Sequence, residues 1–243
     1  MRPDWIGFDL DDTLHFYRKA TSAAMAAVFA RLGHHLGVPS IVLEASYRTI
    51  LATTTRDAFA DGRDARSRRE ERFYLLMQSV GVSDSDILAD LVAMYEPSLE
   101  RALELRPGVA EVLCAIRQRT VPIAVVSEGP HDAQEWTLRK LGIASSIDLL
   151  ITSGQERCSK ADGLLAAALR RMDCRAERLL YVGDSWERDV VPAQALGIRV
   201  LWLCEHESMV PASRVRDALG RITTLGAVLR HLSDDAAPSR GEK

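Results

Sequence analysis

The chain has 243 residues, 47% of them apolar, and a formal net charge of -3, enough apolar material for one large domain or two unequal ones. Acidic and basic residues are interspersed, which argues against a nucleic-acid or membrane-surface partner, and no uncharged apolar stretch approaches the ~20 residues needed to cross a bilayer. Cys114, Cys158, Cys174 and Cys204 form no CxxC pair. With Asp4 so close to the N-terminus, the expectation is a cytoplasmic protein with reduced thiols and no secretory leader.

The first element is a short apolar strand, Trp5 to Asp9, which runs into Asp9-Leu10-Asp11-Asp12-Thr13. From about Phe16 to Leu105 apolar residues recur at spacings of three and four, which predicts helices near Lys19 to Leu36, Ile41 to Phe59, Ala65 to Val80 and Ser83 to Leu103. Gly37-Val38-Pro39, Asp61-Gly62 and Gly81-Val82-Ser83 separate them. After Gly108 the pattern changes. β-Branched runs at Pro122 to Val126, Asp148 to Ile151, Arg178 to Val182 and Ile198 to Leu203 alternate with helical patterns at Val109 to Arg119, His131 to Leu141, Lys160 to Met172 and Glu187 to Leu196. That alternation predicts an α/β fold, a Rossmann-like doubly wound parallel sheet. The first strand lacks an immediate crossover, so the predicted organisation is a discontinuous core, 1–16 and 105–243, with an inserted helical cap domain, 17–104. The polar stretch Ser233 to Lys243 reads as a frayed tail.

Acids at the end of a buried strand serve no folding need. Residues two apart on a strand point the same way, so Asp9 and Asp11 leave the first strand together. A second apolar run, Leu179-Leu180-Tyr181-Val182, ends in Gly183-Asp184-Ser185 and then Asp189. Carboxylates gathered at one sheet edge repel unless one is protonated or a cation intervenes, and a hard divalent ion, magnesium, is the economical answer. Lysine occurs only at positions 19, 140, 160 and 243, which makes Lys160, beside a predicted helix start, informative.

In phosphomonoester hydrolysis such residues have distinct tasks. A strand-held carboxylate, Asp9, can attack phosphorus and form an aspartyl-phosphate. Asp11 can protonate the leaving oxygen and later deprotonate water. Ser127, ending a strand, can donate its hydroxyl to a phosphoryl oxygen, and Lys160 can offset charge in the transition state. Thr13 and Asp12 could instead cap a turn, and Asp189 could complement a helix dipole.

Four elements in order, Asp9-Leu10-Asp11-Asp12-Thr13, Ser127, Lys160 and Gly183-Asp184 with Asp189, make the chain resemble the haloacid dehalogenase superfamily, in the subgroup whose helical cap follows the first strand. The resemblance implies a magnesium-dependent phosphatase acting on a small phosphomonoester. Its metal ligands would be Asp9, the main-chain carbonyl of Asp11, and Asp184, with Asp189 holding metal-bound water or Lys160. Glu128 departs from the pattern, which has a small neutral residue there. Its carboxylate would repel phosphate unless it points away or meets a substrate hydroxyl or amine.

In the third cap helix the apolar stripe Phe73, Leu76 and Val80 steps back to Arg69 and Arg66, candidate clamps for a second anionic group on the substrate. On that reading Arg68 and Arg72 face elsewhere, and the competing role for Arg66 and Arg69 is an ion pair with a neighbouring helix. His15 and Tyr17 either line the pocket or pack the hinge. A phosphomutase using the same intermediate, or a catalytically silent binding or regulatory protein, remains open. Carbon–halogen hydrolysis has no use for the proton of Asp11, and Lys19 is the single cap lysine available for Schiff-base phosphonate cleavage.

Overall fold

A computed structural model of the chain describes residues 2–54, 60–205 and 220–232. Its centre is a six-stranded sheet, all pairings parallel, in the order β3-β2-β1-β4-β5-β6. The strands are β1 (Trp5–Phe8), β2 (Ile123–Ser127), β3 (Leu149–Thr152), β4 (Leu179–Gly183), β5 (Arg199–Leu203) and β6 (Arg221–Ile222). The chain goes from β1 to β2 and β3 on one side and then returns to lay β4 on the other side of β1. The strand order therefore reverses at β1, and the crevice at the carboxyl ends beside it is where doubly wound sheets hold ligands.

Strands covered on both faces read as continuous apolar runs, and β2 and β4 are buried at every residue. Alternate residues feed two cores. Ile6, Phe8, Ile123, Val125, Leu180 and Val182 pack with Val112, Leu113 and Ile116 of α5 (Val109–Gln118). Ala124, Val126, Leu179 and Tyr181 pack on the other face with Leu164, Leu165 and Ala168 of α8 (Leu164–Arg171). Between these helices lie α6 (His131–Lys140) and the single turn α7 (Ser153–Glu156).

The predicted strands are present, each shifted by at most one residue at its ends. Two helices begin differently from expectation. Lys160 does not open a helix: it lies in a turn where Asp162 N–H donates to Ser159 Oγ at 3.1 Å, and Gly163, at φ 112°, bends the chain before α8 starts. The predicted helix Glu187 to Leu196 is divided into a π-helical turn, Trp186–Val190, and α9 (Val191–Ala195), with Pro192 in its first turn. β6 and the 3-10 helix Leu225–His231 were not foreseen, since two paired residues and a 3-10 stretch carry no usable period.

The insertion consists of α1 (Tyr17–Leu36), α2 (Ser40–Thr54), α3 (Ala65–Ser79) and α4 (Ser85–Ala102). The part of the second predicted helix beyond Thr54, and the tail from Ser233, lie outside the described residues. These helices build a core of their own from Val28, Leu32, Leu43, Phe73, Leu76 and Leu91, all fully buried. Two adjacent connectors join the helices to the sheet: Phe16 N–H donates to Glu104 O at 3.1 Å and Arg106 N–H to Leu14 O at 2.9 Å. Among the described residues no helix is long and apolar enough to cross a membrane.

Phe73 meets Tyr47 and Tyr95 with ring centroids 6.5 and 5.8 Å apart and no exposed surface. Phe73→Ala is expected to cost about 3–5 kcal/mol, read from urea unfolding. A loss below about 1 kcal/mol would mean that the bundle collapses to fill the space.

Candidate active site

Asp9 follows directly on β1, and its N–H donates to Val182 O at 2.8 Å, so the sheet ladder fixes its backbone. The side chain is buried, and both oxygens are committed: Oδ1 accepts from Lys160 Nζ at 2.5 Å and Oδ2 from the Thr13 hydroxyl at 3.1 Å. Thr13 reaches back because the chain turns after Leu10, with Leu14 N–H bonded to Leu10 O and Asp12 in the left-handed region at φ 60°. Asp12 meets Arg18 instead, its Oδ1 accepting the backbone N–H at 3.1 Å and its Oδ2 lying 3.1 Å from Arg18 Nε in an ion pair.

Asp11 lies beside this pair with a different set of partners. His15 Nε2 is 3.0 Å from Oδ1, and Gln134 Nε2 donates to Oδ2 at 3.3 Å. His15 is buried, and its Nδ1 has no hydrogen-bond partner among the described residues. It therefore braces Asp11 at the hinge, and its ring meets Tyr17 edge-on at 6.0 Å. Gln134 is held in turn by a bond to Glu128 O at 3.3 Å.

Lys160 is buried between two acids, with Nζ 2.5 Å from Asp9 and 2.6 Å from Asp189 Oδ1. Burial works to lower its pKa, but Asp189 and Asp9 outweigh that and hold it well above the ordinary lysine value, as an ammonium. Asp189 also accepts from the Tyr181 hydroxyl at 2.9 Å, and its Oδ2 accepts from Ser185 N–H at 2.9 Å. The π-helical turn aims Asp189 back under β4. A Cβ on residue 183 would lie 2.3 Å from Asp189 Cγ, so glycine is required there.

Carboxylate oxygens of Asp9, Asp184 and Asp189 lie within 4.8 Å of one another. Three carboxylates face one ammonium, which leaves two uncompensated negative charges when all are ionised. Burial first, then Asp189 and Asp12, pushes the Asp184 carboxyl up to about 6. Burial, with Asp189, Asp184 and Asp11 against Lys160, likewise holds Asp9 above the usual carboxylate range. Hard oxygen donors with an excess of two negative charges suit a divalent cation such as magnesium. Asp184 is anchored through its backbone, with Trp202 Nε1–H donating to its carbonyl at 2.9 Å.

Ser127 ends β2 fully buried, and its hydroxyl has no hydrogen-bond partner among the described residues, a polar atom that needs one. Glu128 turns away from Ser127. Its Oε1 accepts from Lys160 N–H at 2.7 Å, and its Oε2 lies 3.6 Å from Arg188.

The cap arginines are placed otherwise than their stripe suggested. Arg66 is exposed and pairs with Glu70 on its own helix at 2.9 Å. Arg69 lies over the Tyr95 ring at 4.5 Å, 3.7 Å from Glu96 of α4, the interhelical ion pair that was the competing expectation. Neither contacts an acid of the site among the described residues. The arginine of α3 that faces a cavity with Tyr17, Tyr47 and Tyr95 is Arg72, and Arg68 is buried against Asp61. Lys19 pairs with Glu104 at the hinge. Residue patterns did not single out His15 as a brace, Gln134, Tyr181 or Arg72. Tyr181 alternates like any core residue, and only its hydroxyl, which needs a partner when buried, gave a signal.

A parallel α/β sheet with acids and a lysine at its carboxyl edge, at the point where strand order reverses, defines the chain as a hydrolase of the Rossmann-like class. Residues 3–197 match the haloacid dehalogenase-like hydrolase family, and the chain belongs to it. It is 30% identical over 233 residues, covering 90% of this chain and 95% of the relative, to the ribulose-1,5-bisphosphate 5-phosphatase of Halopiger xanaduensis. It is 25% identical to the glyceraldehyde 3-phosphate phosphatase of Methanothermobacter thermautotrophicus over 80% of this chain and 82% of the relative. The crystal structure of the magnesium-bound HAD hydrolase YfnB from Bacillus subtilis has the same fold, with a TM-score of 0.71 over 96% of this chain and 99% of that one at 21% identity.

Asp184→Asn removes one of the crowded charges. The metal-free variant is expected to melt a few degrees higher than wild type, roughly 2–4 °C per kcal/mol of relief for a chain of this size, while losing most of the rise in Tm that magnesium gives the wild type. Thermal melts with and without magnesium read both effects. An unchanged magnesium response in the variant would remove Asp184 from the metal site.

Proposed function

We propose that the protein is a magnesium-dependent phosphatase that hydrolyses a small phosphomonoester through an aspartyl-phosphate on Asp9. The observation that carries this reading is the state of Asp9: a strand-held carboxylate, oriented at both oxygens by Lys160 and Thr13, within 4.8 Å of the acids at 184 and 189. The family and the phosphatases similar to this chain support it.

Asp9 attacks phosphorus in line with the leaving oxygen, and the ester bond breaks as the Asp9–phosphorus bond forms. Asp11, steadied by His15 and Gln134, donates the proton that the departing alkoxide needs. In the second half Asp11 takes a proton from the attacking water, the acyl phosphate opens, and inorganic phosphate leaves with Asp9 regenerated. Ser127 donates to a phosphoryl oxygen, which gives its unpartnered hydroxyl a bond. Lys160 restrains Asp9 and offsets charge that builds in the transition state.

Asp9, Asp184 and the main-chain carbonyl of Asp11 would hold magnesium, which when bound neutralises phosphoryl charge. Asp189 acts on Lys160 and the turn at Ser185. Glu128 is a positioning residue for Lys160 through its backbone, and its carboxylate needs no place in the phosphate pocket. Residues 17–104 serve as the cap that encloses the reaction, and the partner is a small-molecule phosphomonoester.

The test is phosphate release from a panel of phosphomonoesters with magnesium. Asp9→Asn should lower kcat by at least roughly 10³-fold, and EDTA should abolish turnover reversibly. Free phosphate without an isomerised product separates hydrolysis from mutase action. Release that survives Asp9→Asn would refute Asp9 as the nucleophile.

A further inference from the structure

Between the four inserted helices lies a cavity of about 470 Å³, and every helix contributes to its wall: Tyr17 from α1, Glu44, Tyr47 and Arg48 from α2, Arg72 from α3 and Tyr95 from α4. We propose that this cavity receives the leaving group of the phosphomonoester, and that Arg72 and Arg48 select a leaving group carrying a second anionic group. The inference rests on the phosphatase reading and adds the substrate class to it.

Position is the first argument. Tyr17 follows His15 by two residues and meets its ring edge-on at 6.0 Å, while His15 holds Asp11 at 3.0 Å. The wall of the cavity thus begins one side chain away from the group that protonates the leaving oxygen. Electrostatics agree at Tyr95, whose phenol burial pushes up to about 12, with Asp11 among the charges that add to the rise.

Chemistry is the second. Arg72 does not swing freely, since its Nε–H donates to Thr54 Oγ1 at 3.1 Å and its guanidinium also bonds the Tyr47 hydroxyl. A planar cation fixed in this way is already oriented toward a carboxylate or phosphate, so little side-chain entropy is lost on binding. Arg48 adds a second positive charge at the exposed rim, and Glu44 one turn before it is, among the described residues, the single acid of the wall. Among the described residues of the wall one positive charge is left in excess, complementary to an anionic tail. The phenols can bond hydroxyls between the two ends of the substrate. The volume is at the small end of ligand sites, which suits a sugar-sized or hydroxy-acid-sized body. A second cavity among these helices, about 450 Å³, has Arg66 and Arg69 matched by Glu70 and Glu96 and offers no such excess.

The experiment compares three substrates, with magnesium, in wild type, Arg72→Gln, Arg72→Lys and Arg48→Gln: ribulose 1,5-bisphosphate, 3-phosphoglycerate and ribose 5-phosphate. Wild type should favour at least one of the two doubly anionic compounds over ribose 5-phosphate by about tenfold or more in kcat/KM, and which one identifies the tail as phosphate or carboxylate. Arg72→Gln should cut that preference to within about threefold, mostly through KM, and Arg72→Lys should restore part of it. Arg48→Gln, at the surface, tests the same preference should Arg72→Gln misfold. Equal loss for all three substrates in both glutamine variants, or no wild-type preference, would overturn the proposal. Calorimetric binding of the same compounds to Asp9→Asn keeps the two readings apart. Discrimination in binding without turnover by wild type would sink the phosphatase reading alone, and turnover without discrimination would sink this one alone.

Discussion

A single buried ammonium organises the site. Lys160 lies between Asp9 and Asp189 with almost no exposed surface, and stripping water from three charges costs several kcal/mol for each unless every one is bonded. Here every one is. Asp9 has Thr13, Asp189 has Tyr181 and Ser185 N–H, and the backbone N–H of Lys160 has Glu128. Remove Thr13, Tyr181 or the Ser185 N–H and a buried carboxylate loses a partner, which is why so many otherwise unrelated features converge on one point: the glycine at 183, the π-helical turn that aims Asp189, and the phenol on a core strand. The arrangement also leaves negative charge in surplus, and that surplus makes the site fit a dication. Lys160 is enough to orient Asp9 and too little to neutralise its neighbours.

What could be read from the residues follows from the length scale of each signal. Asp9, Asp11 and Asp184 stood out because an acid directly after an apolar strand run has no folding rationale, and the parallel order of the strands followed from their alternation with helices. Lys160 stood out through the rarity of lysine, yet its placement at a helix start was wrong, because the Ser159–Asp162 turn and Gly163 precede the helix and apolar periodicity carries no trace of that turn. Side chains that act across the fold were not legible. Nothing local tells that Glu128 will meet the backbone of residue 160, or that Gln134 will reach Asp11 from another helix.

The arginines of α3 show the same limit in a sharper form. A helix packed on more than one side has more than one inward stripe. Following Phe73 back by fours leads to Arg69, whereas following Leu76 back by fours leads to Arg72 and Arg68, and both Phe73 and Leu76 are fully buried. Periodicity alone cannot rank the two lines. Packing ranks them: the first carries Arg69 into the seam with α4, where Glu96 and the Tyr95 ring take it up, and the second carries Arg72 to the cavity.

The division of charge between the two parts of the molecule follows from what each must do. The chemistry proposed for Asp9 needs positions held to fractions of an ångström, and a sheet strand with both carboxylate oxygens bonded provides that. Choosing a leaving group needs a surface that can differ between relatives without disturbing the acids. In the proposed function that surface is the one built from α1 to α4, whose core is separate from those under the sheet and whose connectors, 11–16 and 104–106, are paired through backbone bonds that place few demands on side-chain identity. Asp11 stands where the two parts meet, bonded to His15 of the connector and to Gln134 of the core. A shift of the helices relative to the sheet would therefore be felt at Asp11, which under the proposed mechanism ties proton transfer to a leaving group that fills the cavity.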